Sequence, residues 1–320
     1  MISAKSLRNL GKEIRKLHPE VLGIGLGLRR SSGRLRQQQL VLKIFVEKKF
    51  GKRKPRGIRS IPRFWRVRLG RDRGTVVQFL TDIEEVMEFS PSSFDVGPMK
   101  AASWIGWFDS ANRPRVGVVT AAHGLPDVGV AVPLFGVPNG GTVAAKANLA
   151  TDQTDVGLVE VSPVDAVYPD SGPRNAALTS ADSLISLIGT TTTDGLNTKC
   201  EHWAGTQAIP VRAVAFMSSY PVKYPDGTLF TLRNVVLGDG YVGAFKPGYS
   251  GASWATEAAS PFDRIVAIQS HGRTPSFDFG VGIHFASALE WLVSSVGMQQ
   301  ARLWWHNKAT LPSAKTDDMG

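Results

Sequence analysis

Three short segments of the chain carry the residue types that nucleophilic hydrolysis needs. His123 ends a Thr-Ala-Ala-His segment, Asp155 opens an Asp-Val-Gly-Leu segment, and Ser250 lies in a Gly-Tyr-Ser-Gly segment. A serine hydroxyl is a weak nucleophile, so an imidazole has to accept its proton and a carboxylate has to orient that imidazole. The sequence therefore predicts His123, Asp155 and Ser250 as the catalytic residues of a hydrolase.

Glycines near Ser250 suit the second requirement of such chemistry, which is a set of donors for an oxyanion. Gly248 permits a tight turn that aims its own N–H group and that of Ser250 at one point. Gly251 lets the chain pass close behind the nucleophile. We therefore predict an oxyanion hole formed by the backbone N–H groups of Gly248 and Ser250.

The order His, Asp, Ser differs from the Asp-His-Ser order of subtilisin-like enzymes and the Ser-Asp-His order of α/β-hydrolases. The segments resemble the motifs T-A-A-H, D-[IV]-A-L and G-D-S-G-G of the trypsin-like serine peptidase family, with departures at Gly157, Tyr249 and Ala252. The resemblance covers residues 97–295. It implies hydrolysis of a protein or peptide substrate. It also implies a mainly β fold of two six-stranded antiparallel, chymotrypsin-like β-barrels with a C-terminal helix.

The same resemblance implies a substrate site. The segment Ile265–Gly272 is similar to the family strand that pairs with the substrate backbone, and the residue six positions before the serine is similar to the floor of the primary pocket. Ala244 places no acid there, so a small or apolar residue is expected before the scissile bond. Tyr249 replaces the aspartate that pairs with a newly cut N-terminus in digestive members, so no such activating cut is expected. The implied substrate-binding residues are Ala244, Ser270, His271 and Gly272.

Other residues of the same types fit the pattern less well. Asp152 is the competing carboxylate, and Ser253 and Ser270 are the competing serines, but they lack the flanking motifs. An α/β-hydrolase elbow would need a glycine where Ala252 stands and would leave the histidine segment unexplained. The remaining histidines show no metal-ligand spacing, so we predict neither a metal nor a cofactor.

Apolar periodicity predicts the elements that position these residues. An apolar stripe predicts a helix over 3–18, and a second helix is expected over 285–296. Gly23, Gly25 and Gly27 alternate along a strand and indicate close backbone approach rather than a dinucleotide fingerprint. Predicted strands after a linker at 88–98 are 101–108, 116–120, 128–135, 141–147, 156–161, 184–189, 206–213, 229–237, 251–254 and 264–270. We expect three units: a basic α+β domain over 1–90, a protease domain over 91–300 and a tail over 301–320.

Composition limits the class of protein. Hydrophobic residues make up 42% of the chain and charged residues 20%, as in ordinary globular proteins. Cys200 is the only cysteine, which excludes an intrachain disulfide and fits a reducing compartment or a bacterial-type member of the family without disulfides. The first residues lack the apolar core of a secretion signal, and no apolar run reaches the length of a membrane span. A cytoplasmic location is expected.

Positive charge is concentrated at the N-terminus. Residues 1–75 contain 22 Lys and Arg but 4 Asp and Glu, a net charge of +18, whereas residues 76–320 contain 15 basic and 23 acidic residues, a net charge of −8. Phe50, Phe64 and Trp65 lie among the basic residues, so an anionic partner, nucleic acid or acidic protein, competes with a merely solvated face. Two functions stay open: a serine endopeptidase regulated by its basic domain, and a catalytically silent protease-like scaffold that binds nucleic acid or another polyanion.

Overall fold

The computed structural model describes residues 2–31, 34–49, 60–68, 76–91, 100, 102–134, 137–162, 177–178, 181–189, 199–204, 207–256 and 264–303. In chain order the elements are α1 (Ala4–Leu17), β1 (Val21–Ser31), β2 (Arg34–Val46), β3 (Phe64–Arg68), β4 (Val76–Glu85), β5 (Phe89–Pro91), β6 (Ser103–Phe108), β7 (Pro114–Thr120), β8 (Ala131–Leu134), β9 (Val137–Lys146), β10 (Gly157–Val161), β11 (Ala177–Leu178), α2 (Ala181–Gly189), β12 (Lys199–Ala204), β13 (Gln207–Lys223), β14 (Leu229–Asp239), β15 (Ser253–Thr256), β16 (Arg264–Arg273), β17 (Phe279–His284), α3 (Phe285–Val296) and β18 (Gln299–Leu303). The protein is mainly β with a C-terminal helix.

One sheet has six strands in the order β18-β6-β7-β10-β9-β8. Strand β7 lies inside the sheet between β6 and β10, and Val116, Val118 and Val119 belong to a continuous buried run, as expected of a strand covered on both faces. Because β7 and β10 run antiparallel, Thr120 at the end of β7 lies opposite Gly157 at the start of β10. The loops that leave this end of the sheet carry two of the predicted catalytic residues.

The other sheet has twelve strands and includes most of the N-terminal region. Its long strand β13 pairs with β14 along one edge, and with β12 and then β1 along the other. The prediction of two closed six-stranded barrels is therefore wrong, because the second half of β13 offers its edge to β1, and β2, β4 and β3 extend the sheet further.

Close packing of β1 against β13 explains the alternating glycines. A Cβ atom on Gly25 would lie 2.4 Å from the carbonyl oxygen of Phe216, and a Cβ atom on Gly27 would lie 2.8 Å from that of Val214. Neither position has room for a side chain, so the interpretation of these glycines as points of close backbone approach is confirmed.

Of the three helices in the described residues, two agree with the sequence prediction and one does not. Ser3 caps α1 by accepting a hydrogen bond from the Ser6 N–H at 3.1 Å, and α3 has the predicted bounds. The prediction of a strand over 184–189 is wrong, because α2 covers these residues. Leu184, Ile185 and Ile188 are buried along one face of that helix, at the spacing of a helical stripe.

Several predicted features lie outside the described residues. They include Phe50 and most of the basic loop around it, residues 92–98 of the linker, and the tail after Leu303. Among the residues that the structure does describe, none of the helices combines the length and the apolar character required to cross a bilayer. The division of the chain at residue 90 stays a prediction.

Candidate active site

His123 and Asp155 meet at the ends of the paired strands β7 and β10. His123 follows Thr120 by three residues, and Asp155 precedes Gly157 by two. The backbone N–H of His123 donates to Asp155 Oδ1 at 2.8 Å, and the ring atom Nδ1 lies 2.6 Å from Oδ2. Both carboxylate oxygens therefore hold the histidine, one through its backbone and one through its ring.

Ser250 completes the arrangement from the turn that precedes β15. Its Oγ lies 2.8 Å from Nε2 of His123 and 3.2 Å from the carbonyl oxygen of Ser270. The contact of Nδ1 with the Asp155 carboxylate assigns the ring proton to Nδ1, so Nε2 carries the lone pair that can accept the serine proton. The structure thus brings together the three residues that the motifs singled out, while Asp152 lies exposed in a loop and accepts a hydrogen bond from the Asn148 N–H.

The turn that presents Ser250 depends on glycine. Gly248 and Gly251 have φ angles of +87° and +84°, in the left-handed region that other residues rarely adopt. A Cβ atom on Gly251 would lie 2.1 Å from Thr120 Oγ1 and 2.3 Å from the Lys100 carbonyl oxygen. Within the described part of the chain, the N–H groups of Gly248 and Ser250 donate no hydrogen bond, which leaves both available to a ligand.

A line of hydrogen-bonded polar side chains continues from Asp155 through Ser270 and His271 to Tyr224. The Ser270 hydroxyl donates a short hydrogen bond to Asp155 Oδ2, and its Oγ lies 2.6 Å from Nδ1 of His271. On the other side of that ring, Nε2 lies 2.8 Å from the hydroxyl of Tyr224. Asp155, Ser270 and His271 are fully buried, so each of these polar groups needs its partner.

Burial and neighbouring charge shift three pKa values at the site. Burial would raise the pKa of Asp155, but the adjacent His123 and the hydrogen bonds to the carboxylate hold it well below its ordinary range. Burial lowers the pKa of His271 to about 3, and His123 nearby acts in the same direction. Burial and the charge of Asp155 raise the pKa of the Tyr224 phenol. At neutral pH, Asp155 is therefore charged while His271 and Tyr224 are neutral.

The same groups form one potential metal-ligand set among the described residues. The ligand atoms of His123, Asp155 and His271 all lie within 4.8 Å of one another. Every one of these atoms already has a hydrogen-bond partner in Ser250, Ser270, Tyr224 or the set itself. The geometry is that of a hydrogen-bonded array rather than of an open coordination site.

The implied substrate-binding residues lie in two parts of the structure. Ala244 is buried and donates its N–H to the Tyr241 carbonyl at 2.9 Å. Ser270, His271 and Gly272 lie in β16, with the side chains of the first two sealed from solvent. Direct contact of these two side chains with a substrate stays a prediction, whereas the backbone of β16 runs beside the nucleophile.

Tyr224 is the residue of this array that the motifs did not identify. It stands at the turn between β13 and β14, in no recognisable motif, and reaches His271 because β14 and β16 both pair with β17. Only that strand order brings the two residues together, so no local signal marked Tyr224.

Comparison with known proteins gave matches only among solved structures. No protein-family model and no curated protein matches the chain. The active form of the Rv3671c protease from M. tuberculosis has 17% identity, covers 63% of this chain and 83% of its own, and gives a TM-score of 0.36. Chymotrypsin from Cellulomonas bogoriensis has 14% identity, covers 63% of this chain and 96% of its own, and gives 0.34. The murine norovirus NS6 protease has 14% identity, covers 53% of this chain and 87% of its own, and gives a TM-score of 0.29. At such TM-scores, only the residues of this chain itself indicate its chemistry.

Proposed function

We propose that the protein is a serine endopeptidase that uses Ser250 as nucleophile, His123 as general base and Asp155 as the orienting carboxylate. The observation that supports this function is the continuous chain of contacts from Ser250 Oγ to His123 Nε2 at 2.8 Å and from His123 Nδ1 to Asp155 at 2.6 Å. Both distances lie within the range that proton transfer requires.

The proposed reaction has two halves. As Ser250 Oγ attacks the peptide carbonyl carbon, its proton moves to His123 Nε2, and the Asp155 carboxylate stabilises the imidazolium. The N–H groups of Gly248 and Ser250 would receive the oxyanion. The imidazolium then protonates the leaving amine, and water repeats the sequence to release the acyl group. Ala244 carries no acid at the position that the family resemblance gives to the pocket floor, so we propose a small or apolar residue before the scissile bond.

Labelling with a fluorophosphonate tests the nucleophile. We expect the wild-type protein to react at Ser250 and Ser250→Ala to lose both labelling and peptide hydrolysis, by on the order of 10⁶-fold in turnover. Ser253→Ala, a change to a neighbouring serine in β15, is the matched control and should keep its labelling. Wild-type protein that never reacts, although folded, would favour the silent scaffold that binds a polyanion.

We also propose that residues 1–90 regulate this activity and offer a surface to an anionic partner. Two contacts support a link to the site: β1 pairs with β13, and β5 pairs with β16 beside Ser270. The exposed basic residues of α1 support the anionic partner.

A further inference from the structure

The buried array beyond Asp155 has a single direction of proton donation. Asp155 is charged and accepts, so the one hydroxyl proton of Ser270 points to Oδ2. Ser270 Oγ must then accept from His271, which places the ring proton of His271 on Nδ1. The Nε2 atom of a neutral ring with that tautomer is an acceptor, so the Tyr224 hydroxyl donates to it. Donation therefore runs from Tyr224 through His271 and Ser270 to Asp155.

We propose that Tyr224 and His271 are positioning residues of the candidate site: the Tyr224 hydroxyl, by donating to Nε2, favours the Nδ1-protonated tautomer of His271, and this tautomer keeps the Ser270 hydroxyl on Asp155. This role rests on the proposed function, because it acts through the carboxylate that orients His123. Among the described residues, the titratable groups that face His271 are His123, Asp155 and Tyr224, and the ring centroids of His271 and His123 lie 5.4 Å apart. The low pKa of His271 agrees with a ring that stays neutral.

Removal of the Tyr224 hydroxyl releases this constraint. Nε2 of His271 then lacks its donor in a buried place, and the ring can move its proton from Nδ1 to Nε2. Nδ1 becomes an acceptor and takes the Ser270 proton away from Asp155. With one donor fewer, the carboxylate holds the His123 imidazolium more strongly, so the acidic limb of the activity profile moves to higher pH.

Imidazole ¹⁵N spectra of the full-length protein test the tautomer without any need for catalysis. In the wild type at pH 7, we expect His271 to be neutral and protonated on Nδ1. In Tyr224→Phe, we expect a shift toward Nε2 protonation. Tyr241→Phe, at an exposed tyrosine, is the matched control and should leave the spectrum unchanged. A wild-type ring protonated on Nε2, or on both nitrogens, overturns the proposal.

Kinetics with the same variants separate positioning from packing. We expect Tyr224→Phe to lower kcat about three- to tenfold with an unchanged KM, and to raise the midpoint of the acidic limb by roughly a few tenths of a pH unit. If Tyr224→Phe has the same kcat and the same acidic midpoint as Tyr241→Phe, the proposal is overturned. If the wild-type protein shows neither hydrolysis nor labelling, the proposed serine endopeptidase function is overturned, while the tautomer measured in the ¹⁵N spectra still tests the role of Tyr224.

A second inference comes from the pairing of β16. One edge of this strand pairs with β17 over residues 267–272. On the opposite edge, residues 264–269 bond to the segment 251–256 that follows the nucleophile, and residues 271–273 pair with β5. The strand β5 thus lies on the same edge as Ser250, separated from its segment only by Ser270.

The contact between β5 and β16 resembles strand addition. Pro91 lies opposite His271 and has no N–H, so the alternation of an antiparallel pair makes Ser90 and Gly272 the hydrogen-bonded pair. Phe89 anchors the segment, since its buried ring lies 5.8 Å from Tyr220. An extended peptide that reaches Ser250 along β16 needs the backbone groups that β5 occupies.

The geometry points to an intramolecular competitor: the segment Phe89–Pro91 occupies the strand edge that an extended peptide substrate uses, and a substrate has to displace it. This regulation also rests on the proposed function. It acts on extended peptides and leaves small reagents unaffected, because a fluorophosphonate needs Ser250 and the oxyanion donors but no strand edge.

Two substitutions at one position provide the test. Ser90→Pro removes the N–H that bonds to Gly272, whereas Ser90→Ala keeps it and is the matched control. We expect Ser90→Pro to raise kcat/KM for an extended peptide of four or more residues about tenfold, with an unchanged rate of fluorophosphonate labelling. Phe89→Leu, which reduces the size of the anchoring side chain, should also raise kcat/KM for the extended peptide. This variant replaces Ser90→Pro in the test if Ser90→Pro does not fold.

The labelling rate distinguishes the possible failures. Equal peptide kinetics for Ser90→Pro and Ser90→Ala, with normal labelling, overturn the competitor. A fall in labelling and peptide hydrolysis together also overturns it, since β5 would then support the site rather than block it. If the wild-type protein is not labelled either, this result contradicts the proposed serine endopeptidase function and not the placement of β5.

Discussion

His271 makes the stability of the protein depend on pH, because the folded state keeps its imidazole neutral. Its pKa is lowered to about 3 by burial, whereas histidine in an unfolded chain titrates near ~6.5. Between these values the unfolded state binds one more proton, so stability is complete above pH ~6.5 and falls as the pH decreases toward 3. The lowered pKa of Asp155 acts in the same direction below about pH 4.

Urea denaturation at several pH values measures this linkage. We expect His271 to contribute a slope of up to about 1.4 kcal/mol per pH unit between pH 6 and 4. In His271→Gln, whose side chain does not titrate, the slope should decrease by about that amount. Identical slopes in the two proteins would show that His271 is protonated in the folded state.

Gly251 is the residue where backbone conformation and close packing coincide. Gly251→Ala should destabilise the protein by more than about 2 kcal/mol, because the φ angle of +84° is strained for alanine and the new Cβ would meet a backbone carbonyl. Gly129→Ala is the matched control: its φ angle is +90°, but nothing lies within 4 Å of the added Cβ atom. Thermal unfolding measures the stability that each variant loses. Equal losses for Gly251→Ala and Gly129→Ala would contradict this account.

At the scale of elements, a contact between two helices ties the N-terminus to the rest of the chain. The Ala4 N–H at the start of α1 donates to Asp182 Oδ1 in the first turn of α2 at 2.6 Å. Asp182→Ala should cost about 1 kcal/mol, since it removes an acceptor and a negative charge from a helix N-terminus. Asp182→Asn keeps an acceptor and should cost less. Equal stability of the wild type and Asp182→Ala in denaturant would exclude this contact as a stabilising one.

Sequence patterns predicted elements well where the period was clear. The stripe of Leu7, Leu10 and Ile14 gave α1, and the bounds of α3 were predicted correctly. The segment 184–189 was assigned to a strand because a short apolar run has no clear period, and the structure resolves it as the end of α2. Strand β5 lies in the segment that turn residues identify as a linker. No local pattern predicts it, because its partner β16 lies far along the chain.

The residues of the candidate site could be predicted for a different reason. His123, Asp155 and Ser250 each lie in a local segment whose type and order carry the signal, and the structure brings the three together. Tyr224 and the contact of β1 with β13 depend on strand order and on pairing between distant segments. Long-range pairing of this kind leaves no mark in local periodicity, which is why the barrels were predicted as separate from the N-terminal region.

At the scale of the whole molecule, the packing of α1 leaves positive charge on its exposed face. The apolar face of this helix is buried against β1 and β13, and the opposite face exposes a row of basic residues: Lys5, Arg8, Lys12 and Lys16. Such a row is a surface that a polyanion can contact in a salt-dependent way. The excess of +18 in residues 1–75 adds to the same potential.

Binding of labelled single-stranded DNA to the full-length protein, measured by anisotropy at several salt concentrations, tests this surface. Affinity should fall steeply with salt, because each neutralised phosphate releases counterions. The double variant Lys5→Gln/Lys12→Gln should reduce the magnitude of the log–log slope by up to about 1.4, at about 0.7 per lost contact. Arg113→Gln/Lys246→Gln removes two exposed charges outside the N-terminal region and should leave the slope unchanged. Equal slopes for the two double variants would show that the helix face is only solvated and that DNA binds elsewhere or by net charge alone.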